Sequence, residues 1–288
     1  MLDEKYRAIR RREWDEAGKR YDGLSIGPLA DLMRQANDQI LKNVALSSGQ
    51  QVLDVGTGHG SPALETIALV GPAGKVTGID FAPSMIAAAR RRVQQSGVRN
   101  ANFLEMEAEA MAFADNSFDA VISRYGYPHF TDAVQALKES YRVLRPHGRF
   151  VAAMHGAVDR NPYFTAPLIA LRRFHQDPPP LTARGPFAFH APEMLEDAMK
   201  QAGFDAANAY AHDTTIVIDD FNNYWNAQKA GGAAIRRALD AVPEVRRAEA
   251  EAAALASMQT YVTGNTAVFP AQIVVGVGTK TSGQIRTG

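Results

Sequence analysis

One segment of the chain reads Val52-Leu53-Asp54-Val55-Gly56-Thr57-Gly58-His59-Gly60. Its apolar first half is typical of a buried parallel strand, and three glycines at alternate positions follow. Such glycines are needed where backbone must approach a ligand closely. Pro62 suits the first turn of a helix, so we predict a helix from about Ser61 whose amino end faces that ligand. The segment therefore predicts a strand that delivers a bare loop to a ligand.

Asp54 narrows the class of ligand. It lies at the carboxyl end of the predicted strand, where a dinucleotide would place its pyrophosphate. A carboxylate repels phosphate, so Asp54 instead suits a cationic ligand, such as one with an ammonium group and a sulfonium. The structural alternative is that Asp54 only caps the next turn.

The composition is that of a globular protein with one large domain and an elaborated cap, or with two small domains. The chain has 288 residues, 46% hydrophobic and 22% charged, with 31 acidic and 31 basic residues. Because it has no basic excess, a nucleic-acid substrate is disfavoured. The absence of cysteine excludes disulfides, thiolate zinc sites and cysteine nucleophiles.

The opening residues do not resemble a signal peptide, because Arg7, Arg10, Arg11 and Arg12 interrupt them. No later apolar run reaches membrane-spanning length, so we expect a cytoplasmic protein without a membrane span. The arginines predict a solvated helix face, with a polyanion contact as the alternative. A homo-oligomer is compatible with the sequence.

Helices and strands alternate along most of the chain, which predicts an α/β fold. We expect a doubly wound, mostly parallel, Rossmann-like sheet of seven strands with right-handed crossovers. The expected strands cover about 52–55, 75–79, 101–106, 119–123, 149–154, 207–218 and 267–278. Two helices, about 3–20 with a break at Gly18 and about 28–45, precede the first strand.

The expected division of the chain follows from this alternation. Residues 1–45 form an N-terminal helical lid, 46–156 form the ligand-binding core, and 191–218 with 263–280 complete the core sheet. Residues 157–190 and 219–262 are cap insertions. The first is expected to be rich in loops, and the second to hold helices at about 221–229 and 233–258. The tail from Thr279 is expected to be disordered.

Ligands of open parallel sheets lie beyond the carboxyl ends of the strands. The residues expected there are Asp54, Asp80, Glu107, Ser123 and His155. A carboxylate at Asp80 can accept hydrogen bonds from both hydroxyls of a ribose. The alternative is that Asp80 caps the helix expected at Pro83. Phe81 and Met85 would then cover an adenine face.

Four motifs occur in order: Asp54 to Gly60, Asp80, the run Glu107-Ala108-Glu109-Ala110-Met111-Ala112-Phe113-Ala114-Asp115-Asn116-Ser117-Phe118-Asp119, and Tyr141-Arg142-Val143-Leu144-Arg145-Pro146-His147-Gly148-Arg149. Together they resemble the motifs of class I S-adenosylmethionine-dependent methyltransferases. The resemblance is greatest to the branch of the ubiquinone and menaquinone C-methyltransferases. It runs from about Gln50 to Met154 and extends more loosely to 192–204.

The resemblance implies a set of cofactor-binding residues for S-adenosylmethionine. The set comprises Tyr21, Asp54, Gly56, Thr57, Gly58, Asp80, Phe81, Met85, Glu107, Ala108 and Ser123. The glycines would pass under the methionine moiety, with Asp54 and the Ser123 backbone at its ammonium and Tyr21 over its carboxylate. Asp80 would hold the ribose, and the Glu107-Ala108 pair would reach the adenine edge. Glu107 stands where the family usually has aspartate, and Ala82 where a capping serine is common.

Methyl transfer asks little of side chains, because alignment and desolvation provide most of the acceleration. A base is needed only if the acceptor arrives protonated. The candidate catalytic residues are His129 and His155, and His190 is a weaker candidate. His129 follows the fourth expected strand among aromatic neighbours, and its alternatives are a substrate-contacting or a structural role. We predict no metal, since no carboxylate and histidine cluster suits one.

The leading hypothesis is methyl transfer to oxygen or carbon of an apolar or aromatic small molecule in a biosynthetic pathway. The alternative is a non-methylating enzyme or a binding protein on the same scaffold, which uses the cofactor structurally. A nucleic-acid or protein methyltransferase is the third hypothesis.

Overall fold

A computed structural model of the protein describes residues 2–20, 30–176, 178, 180–182, 185–231 and 233–281. The helices are α1 (Leu2–Arg20), α2 (Ala30–Val44), α3 (Ser61–Val70), α4 (Pro83–Ser96), α5 (Ala133–Val143), α6 (Pro162–Arg172), α7 (Pro192–Gln201), α8 (Phe221–Gly231), α9 (Ala233–Asp240) and α10 (Arg247–Ala256). The strands are β1 (Gln51–Val55), β2 (Lys75–Asp80), β3 (Ala101–Glu105), β4 (Phe118–Arg124), β5 (Leu144–His155), β6 (Asn208–Ile218), β7 (Val262–Thr263) and β8 (Thr266–Thr279).

The strands that the structure describes form one sheet in the order β3-β2-β1-β4-β5-β8-β6, with the two-residue β7 paired to β8. Strands β1 to β5 are parallel, whereas β8 runs antiparallel to both β5 and β6. This confirms the predicted α/β fold with a mostly parallel sheet. Seven strands lie on the continuous path, as predicted, and β7 is additional.

Strand β1 lies at the centre of the parallel part because its side chains are apolar on both faces. Val52, Leu53 and Val55 are fully buried. The chain leaves β1 toward β2 and β3 on one side, and returns to β4 and β5 on the other. The carboxyl ends of β1 and β4 therefore border the crevice in which open α/β sheets bind ligands.

Helix α2 forms part of the core. Leu32, Ala36, Ile40 and Val44 recur at helical spacing, are fully or almost fully buried, and belong to the same apolar cluster as the β4 and β5 side chains. Helix α1 instead packs along α4. Of the two N-terminal helices, α2 thus packs on the sheet, and α1 packs on another helix.

The predicted break at Gly18 is wrong, because α1 continues to Arg20. Gly18 is buried where α1 meets α4, and a Cβ there would fall on the Ser84 side chain. The glycine therefore serves the close approach of two helices.

Residues 157–190 are less irregular than predicted, because α6 forms within them. Pro162 occupies the first turn, where its missing N–H costs nothing, and Tyr163, Leu168 and Leu171 bury one face. The expected single helix over 233–258 is divided at Pro243 into α9 and α10. Proline cannot continue a helix, because it lacks the N–H that the preceding turn accepts.

The chain is ordered for longer at its end than predicted. The Lys280 ammonium donates hydrogen bonds to the carbonyl oxygens of Arg142 and Leu144, and Thr281 bonds to Asp205. None of the helices in the described ranges has both the length and the apolar composition that crossing a bilayer requires.

Candidate active site

A cavity opens at the carboxyl ends of β1, β2 and β4. Its empty volume is about 730 Å³, including the space at its mouth. Its lining comprises Trp14, Met33, Gly56, Thr57, Gly58, His59, Pro62, Asp80, Phe81, Met85, Arg124, Tyr125, Gly126, His129 and Phe130. The walls are thus mainly apolar and aromatic, with a few polar groups, as in small-molecule sites.

The glycine loop forms one wall of this cavity. Gly56 and Gly58 have φ angles of 68° and 55°, in the left-handed region that favours glycine. A Cβ on Gly56 would lie 3.0 Å from the Cα of Gly126, so only glycines let these two backbones approach. A Cβ on Gly58 would meet no atom within 4 Å. Open space therefore borders the loop at Gly58.

Asp80 joins the glycine loop to the start of α4. Its Oδ2 accepts a hydrogen bond from the Gly58 amide at 3.0 Å, and its Oδ1 accepts one from the Ala82 amide at 3.0 Å. Asp80 is 8% exposed, and burial raises its pKa to about 6. Asp80 thus stabilises the turn ahead of α4, but it is not the helix cap of the alternative interpretation, because Ala82 occupies the N-cap position. A carboxylate has about four lone-pair sites, so Asp80, which lines the cavity, keeps acceptor capacity for a ligand.

Asp54 lies beneath the loop and does not line the cavity. It is 0% exposed, and its Oδ2 accepts a hydrogen bond from the Thr57 hydroxyl at 2.6 Å. Its Oδ1 is buried without a hydrogen-bond partner, and burial raises its pKa to about 6. Asp54 therefore braces the loop from below.

Three other expected cofactor residues are outside the cavity lining. The Ser123 hydroxyl donates to the Val55 carbonyl at 2.7 Å, which ties β4 to β1 under the floor. Ala108 is buried in an apolar cluster with Leu53 of β1 and Ile79 of β2. Glu107 is half-buried, with Arg11 of α1 3.9 Å away, and burial raises its pKa. Tyr21 lies outside the described residues.

His129 borders the cavity, in a short turn of 3₁₀ helix after β4. Its Nδ1 lies 2.6 Å from Nη2 of Arg10, and the Trp14 ring meets it edge-on with centroids 5.0 Å apart. Both partners come from α1. Burial, and then the charge of Arg10, hold the pKa of His129 well below its usual value.

His155 lies behind the cavity wall. Its ring stacks on Tyr125, with centroids 4.2 Å apart and planes 11° apart, and its Nδ1 is 3.1 Å from the Tyr163 hydroxyl. Burial lowers its pKa to about 4. Phe187 completes this aromatic layer. His190 contacts only the Phe187 carbonyl in the described bonds, at 2.9 Å from its Nδ1.

Sequence reasoning noted Tyr125 only as one of the aromatic neighbours of His129, and it lines the cavity. Its φ of 59° is uncommon for a residue with a side chain, and its hydroxyl is buried without a hydrogen-bond partner. Strained backbone of this kind clusters at functional sites. The only available signal was its place directly after β4. No sequence pattern indicated that Trp14 and Arg10 lie near the cavity and His129, because their position depends on how α1 docks on α4.

Among the residues that the structure describes, no three histidine, aspartate or glutamate side chains converge as metal ligands would.

Comparison with known proteins identifies the family. Residues 52–148 match the model of a methyltransferase domain. The aklanonic acid methyltransferase DauC of Streptomyces sp. strain C5 is 33% identical over 196 residues, which cover 67% of this chain and 82% of that protein. The chain belongs to the class I S-adenosylmethionine-dependent methyltransferases.

Two further proteins are similar to this methyltransferase. The demethylmenaquinone methyltransferase of Thermus thermophilus is 39% identical over 142 residues, which cover 48% of this chain and 62% of that protein. The crystal structure of YcgJ from Bacillus subtilis superposes with a TM-score of 0.59 at 22% identity, over 87% of this chain and 100% of that one. The latter similarity supports the Rossmann-like fold alone.

The cofactor of this methyltransferase is S-adenosylmethionine, and the cavity suits it. The open space at Gly58 gives the cofactor room beside the loop. The Asp80 carboxylate, Phe81 and Met85 border the same cavity.

Proposed function

We propose that this methyltransferase transfers a methyl group from S-adenosylmethionine to oxygen or carbon of an apolar or aromatic small molecule. The observation that carries the proposal is the composition of the cavity. The lining combines the glycine loop and the Asp80 carboxylate with the aromatic rings of Trp14, Tyr125, His129 and Phe130. The polar loop and carboxylate suit the cofactor, and the aromatic rings suit a flat acceptor.

The cofactor-binding residues carry the following proposed roles. The Gly56, Thr57 and Gly58 backbone holds the methionine moiety, Asp80 the ribose, and Phe81 with Met85 the adenine. Asp54 acts through its charge from beneath the loop. Glu107, Ala108, Ser123 and Tyr21 remain predictions from the resemblance. The bound cofactor supplies an activated methyl group on a sulfonium, which is an excellent leaving group.

The acceptor site is proposed to lie between His129 and the cap. α1 is the covering part of the proposed lid, 1–45, whereas α2 contributes to the core. The proposed cap segments, 157–190 and 219–262, hold α6, α8, α9 and α10. Their buried aromatic side chains Tyr163, Phe187 and Tyr224 give the acceptor region an apolar character.

Incubation with isotope-labelled S-adenosylmethionine and a panel of acceptors tests the proposal. The panel contains quinols, phenols and indoles, together with demethylmenaquinol and aklanonic acid, the compounds after which two relatives are named. We expect S-adenosylhomocysteine and a labelled product with at least one acceptor. Tight cofactor binding without turnover on any acceptor would favour the alternative, a non-methylating enzyme or binding protein.

The catalytic proposal concerns His129 and His155. We expect His129→Ala to lower turnover strongly while S-adenosylmethionine binding stays intact, because His129 is not among the proposed cofactor-binding residues. His155→Ala should lower turnover less, because the Tyr125 ring lies between His155 and the cavity. An unchanged rate in His129→Ala would remove it from the reaction.

Partners other than a small molecule remain predictions. We expect no nucleic-acid partner because the net charge is zero, and RNA binding that weakens steeply with salt would contradict this. A cytoplasmic location and a homo-oligomer are likewise untested expectations.

A further inference from the structure

His129 has two ring nitrogens, and the structure fixes the role of one. Nη2 of Arg10 lies 2.6 Å from His129 Nδ1. A guanidinium group only donates hydrogen bonds and keeps its proton in proteins. Nδ1 must therefore accept, so the neutral ring carries its hydrogen on Nε2. In this arrangement Nε2–H is the one ring donor of His129, a residue that lines the cavity, and the ring has no free nitrogen to act as a base.

The charged groups around His129 favour an anion. Arg10 of α1, Arg237 of α9 and His155 of β5 act on it electrostatically, and Glu13 of α1 pairs with Arg10. Glu13 pairs with both Arg10 and Arg237, so one negative group is shared between two positive ones. Nε of Arg10 is buried without a hydrogen-bond partner. Among these groups the positive charges outnumber the one negative charge, which opposes protonation of His129 and favours negative charge beside it.

We propose that Arg10 is a positioning residue that holds His129 as an Nε2–H donor, and that the methyl acceptor reacts as an ambident oxyanion. This class comprises carboxylates, phenolates and enolates, in which an oxygen is conjugated with a second nucleophilic atom. The proposal rests on the proposed methyl transfer. His129 binds the oxygen that is not methylated.

The reaction balances without a base at His129. The electron pair of the second nucleophilic atom forms the bond to the methyl carbon as the methyl–sulfur bond breaks, and that bond's pair goes to sulfur. With a carboxylate this atom is the other oxygen, and no proton moves. With a phenolate or enolate it is a carbon, whose own proton is afterwards lost to water.

The first experiment measures the nitrogen NMR signals of isotope-labelled histidine from about pH 5 to about pH 8 in the full chain, where histidines normally titrate. In the wild type we expect His129 to stay neutral with the hydrogen on Nε2. Arg10→Met should mix the two tautomers and raise the pKa of His129. Arg10→Lys, which keeps a charged donor, should restore the wild-type signal, and Arg12→Met, on the exposed side of α1, should leave it unchanged. An Nδ1–H signal in the wild type would overturn the proposal.

The second experiment measures calorimetric binding of 1-naphthoate and of 1-naphthamide, its neutral counterpart, with S-adenosylhomocysteine present. We expect the wild type to prefer naphthoate by about tenfold or more, the size expected for a charged hydrogen bond. Arg10→Met and His129→Phe should lose the preference, whereas Arg12→Met keeps it. Equal affinities in the wild type, or a preference that survives both substitutions, would contradict the proposal.

The two proposals fail differently. An anion preference without methylation of any acceptor would disprove the proposed methyl transfer and leave the Arg10–His129 assignment standing. Methylation whose rate and pH profile are unchanged by Arg10→Met would disprove the Arg10–His129 assignment and leave the proposed methyl transfer standing.

Discussion

The Asp80 carboxylate accepts a hydrogen bond from the backbone amide of Gly58, 22 residues earlier in the chain, at 3.0 Å. The bond links the carboxyl end of β2 to the glycine loop after β1. Whatever Asp80 does for the ribose, it also holds the loop in the conformation that borders the cavity. The binding role and the structural role of this carboxylate are therefore coupled.

Replacement of Asp80 should remove cofactor binding. Asp80→Ala deletes the proposed ribose acceptor and leaves the Gly58 and Ala82 amides without their partner. We expect no measurable S-adenosylmethionine binding by calorimetry. The matched control is Asp132→Ala, which deletes another carboxylate bound to a backbone amide, that of Gln135 at 2.9 Å. The control should cost about 1 kcal/mol of stability, as helix caps do, and leave binding unchanged. Near-normal affinity in Asp80→Ala would contradict the ribose assignment.

Cofactor affinity should weaken in mild acid. Burial raises the pKa of Asp80 and of Asp54 from 3.8 to about 6 each, and the proposed roles need both ionised. Binding should therefore be strongest above pH 6 and fall as the pH drops below it. Titration calorimetry across this range measures the effect, and Asp80→Asn should flatten its part of the profile. A constant affinity down to pH 5, about one unit below these pKa values, would rule the assignment out.

The pKa shifts of buried groups also make folding stability depend on pH. The two aspartates and two of the histidines act in opposite directions. Between pH 3.8 and about 6 the folded chain binds protons on Asp54 and Asp80 that the unfolded chain has released, so their contribution declines as pH rises. The pKa values of His59 and His155 are lowered from 6.5 to about 4. The stability that these two histidines contribute therefore declines as the pH falls from 6.5 to about 4.

A methyl group at Gly58 should block the cofactor without unfolding the protein. Gly58→Ala places a Cβ in open space beside the loop, at a φ of 55°. Gly97→Ala is the matched control, because Gly97 has a φ of 72°, no neighbour within 4 Å, and a place at the end of α4. Both should cost about 1–2 kcal/mol for the left-handed backbone. Only Gly58→Ala should weaken S-adenosylmethionine binding, and equal affinities in the two variants would refute the placement.

Removal of the Tyr125 hydroxyl should not destabilise the protein. That hydroxyl is buried without a partner, so Tyr125→Phe deletes an unsatisfied group. Tyr127 is also buried, but its hydroxyl lies 2.6 Å from that of Ser140. Tyr127→Phe should therefore lower the unfolding free energy by about 1 kcal/mol, whereas Tyr125→Phe leaves it equal or higher. Denaturant unfolding of both variants measures this, and a loss in Tyr125→Phe would mean that its hydroxyl is hydrogen-bonded.

Much of the fold was predictable, because the parallel strands are short apolar runs that end in local signals. The bounds of α3 and α4 follow from Pro62, Pro83 and Gly97, which act within one helical turn. The failures occurred where tertiary contact overrides local preference. Gly18 is typical of a helix end, and only the structure shows that Ser84 packs against it. Helix α6 was not predicted, because prolines in and around it are typical of loops.

The sequence by itself determined the strand, the glycine loop and Asp80, because these features lie within one or two elements and depend on backbone conformation and charge. The tertiary structure alone decided that Asp54 and Ser123 lie beneath the cavity floor, and that Arg10 reaches His129, 119 residues away in the chain. The docking of α1 on α4 sets that contact, and it depends on the shapes of two distant surfaces. No local pattern in the chain encodes such a match.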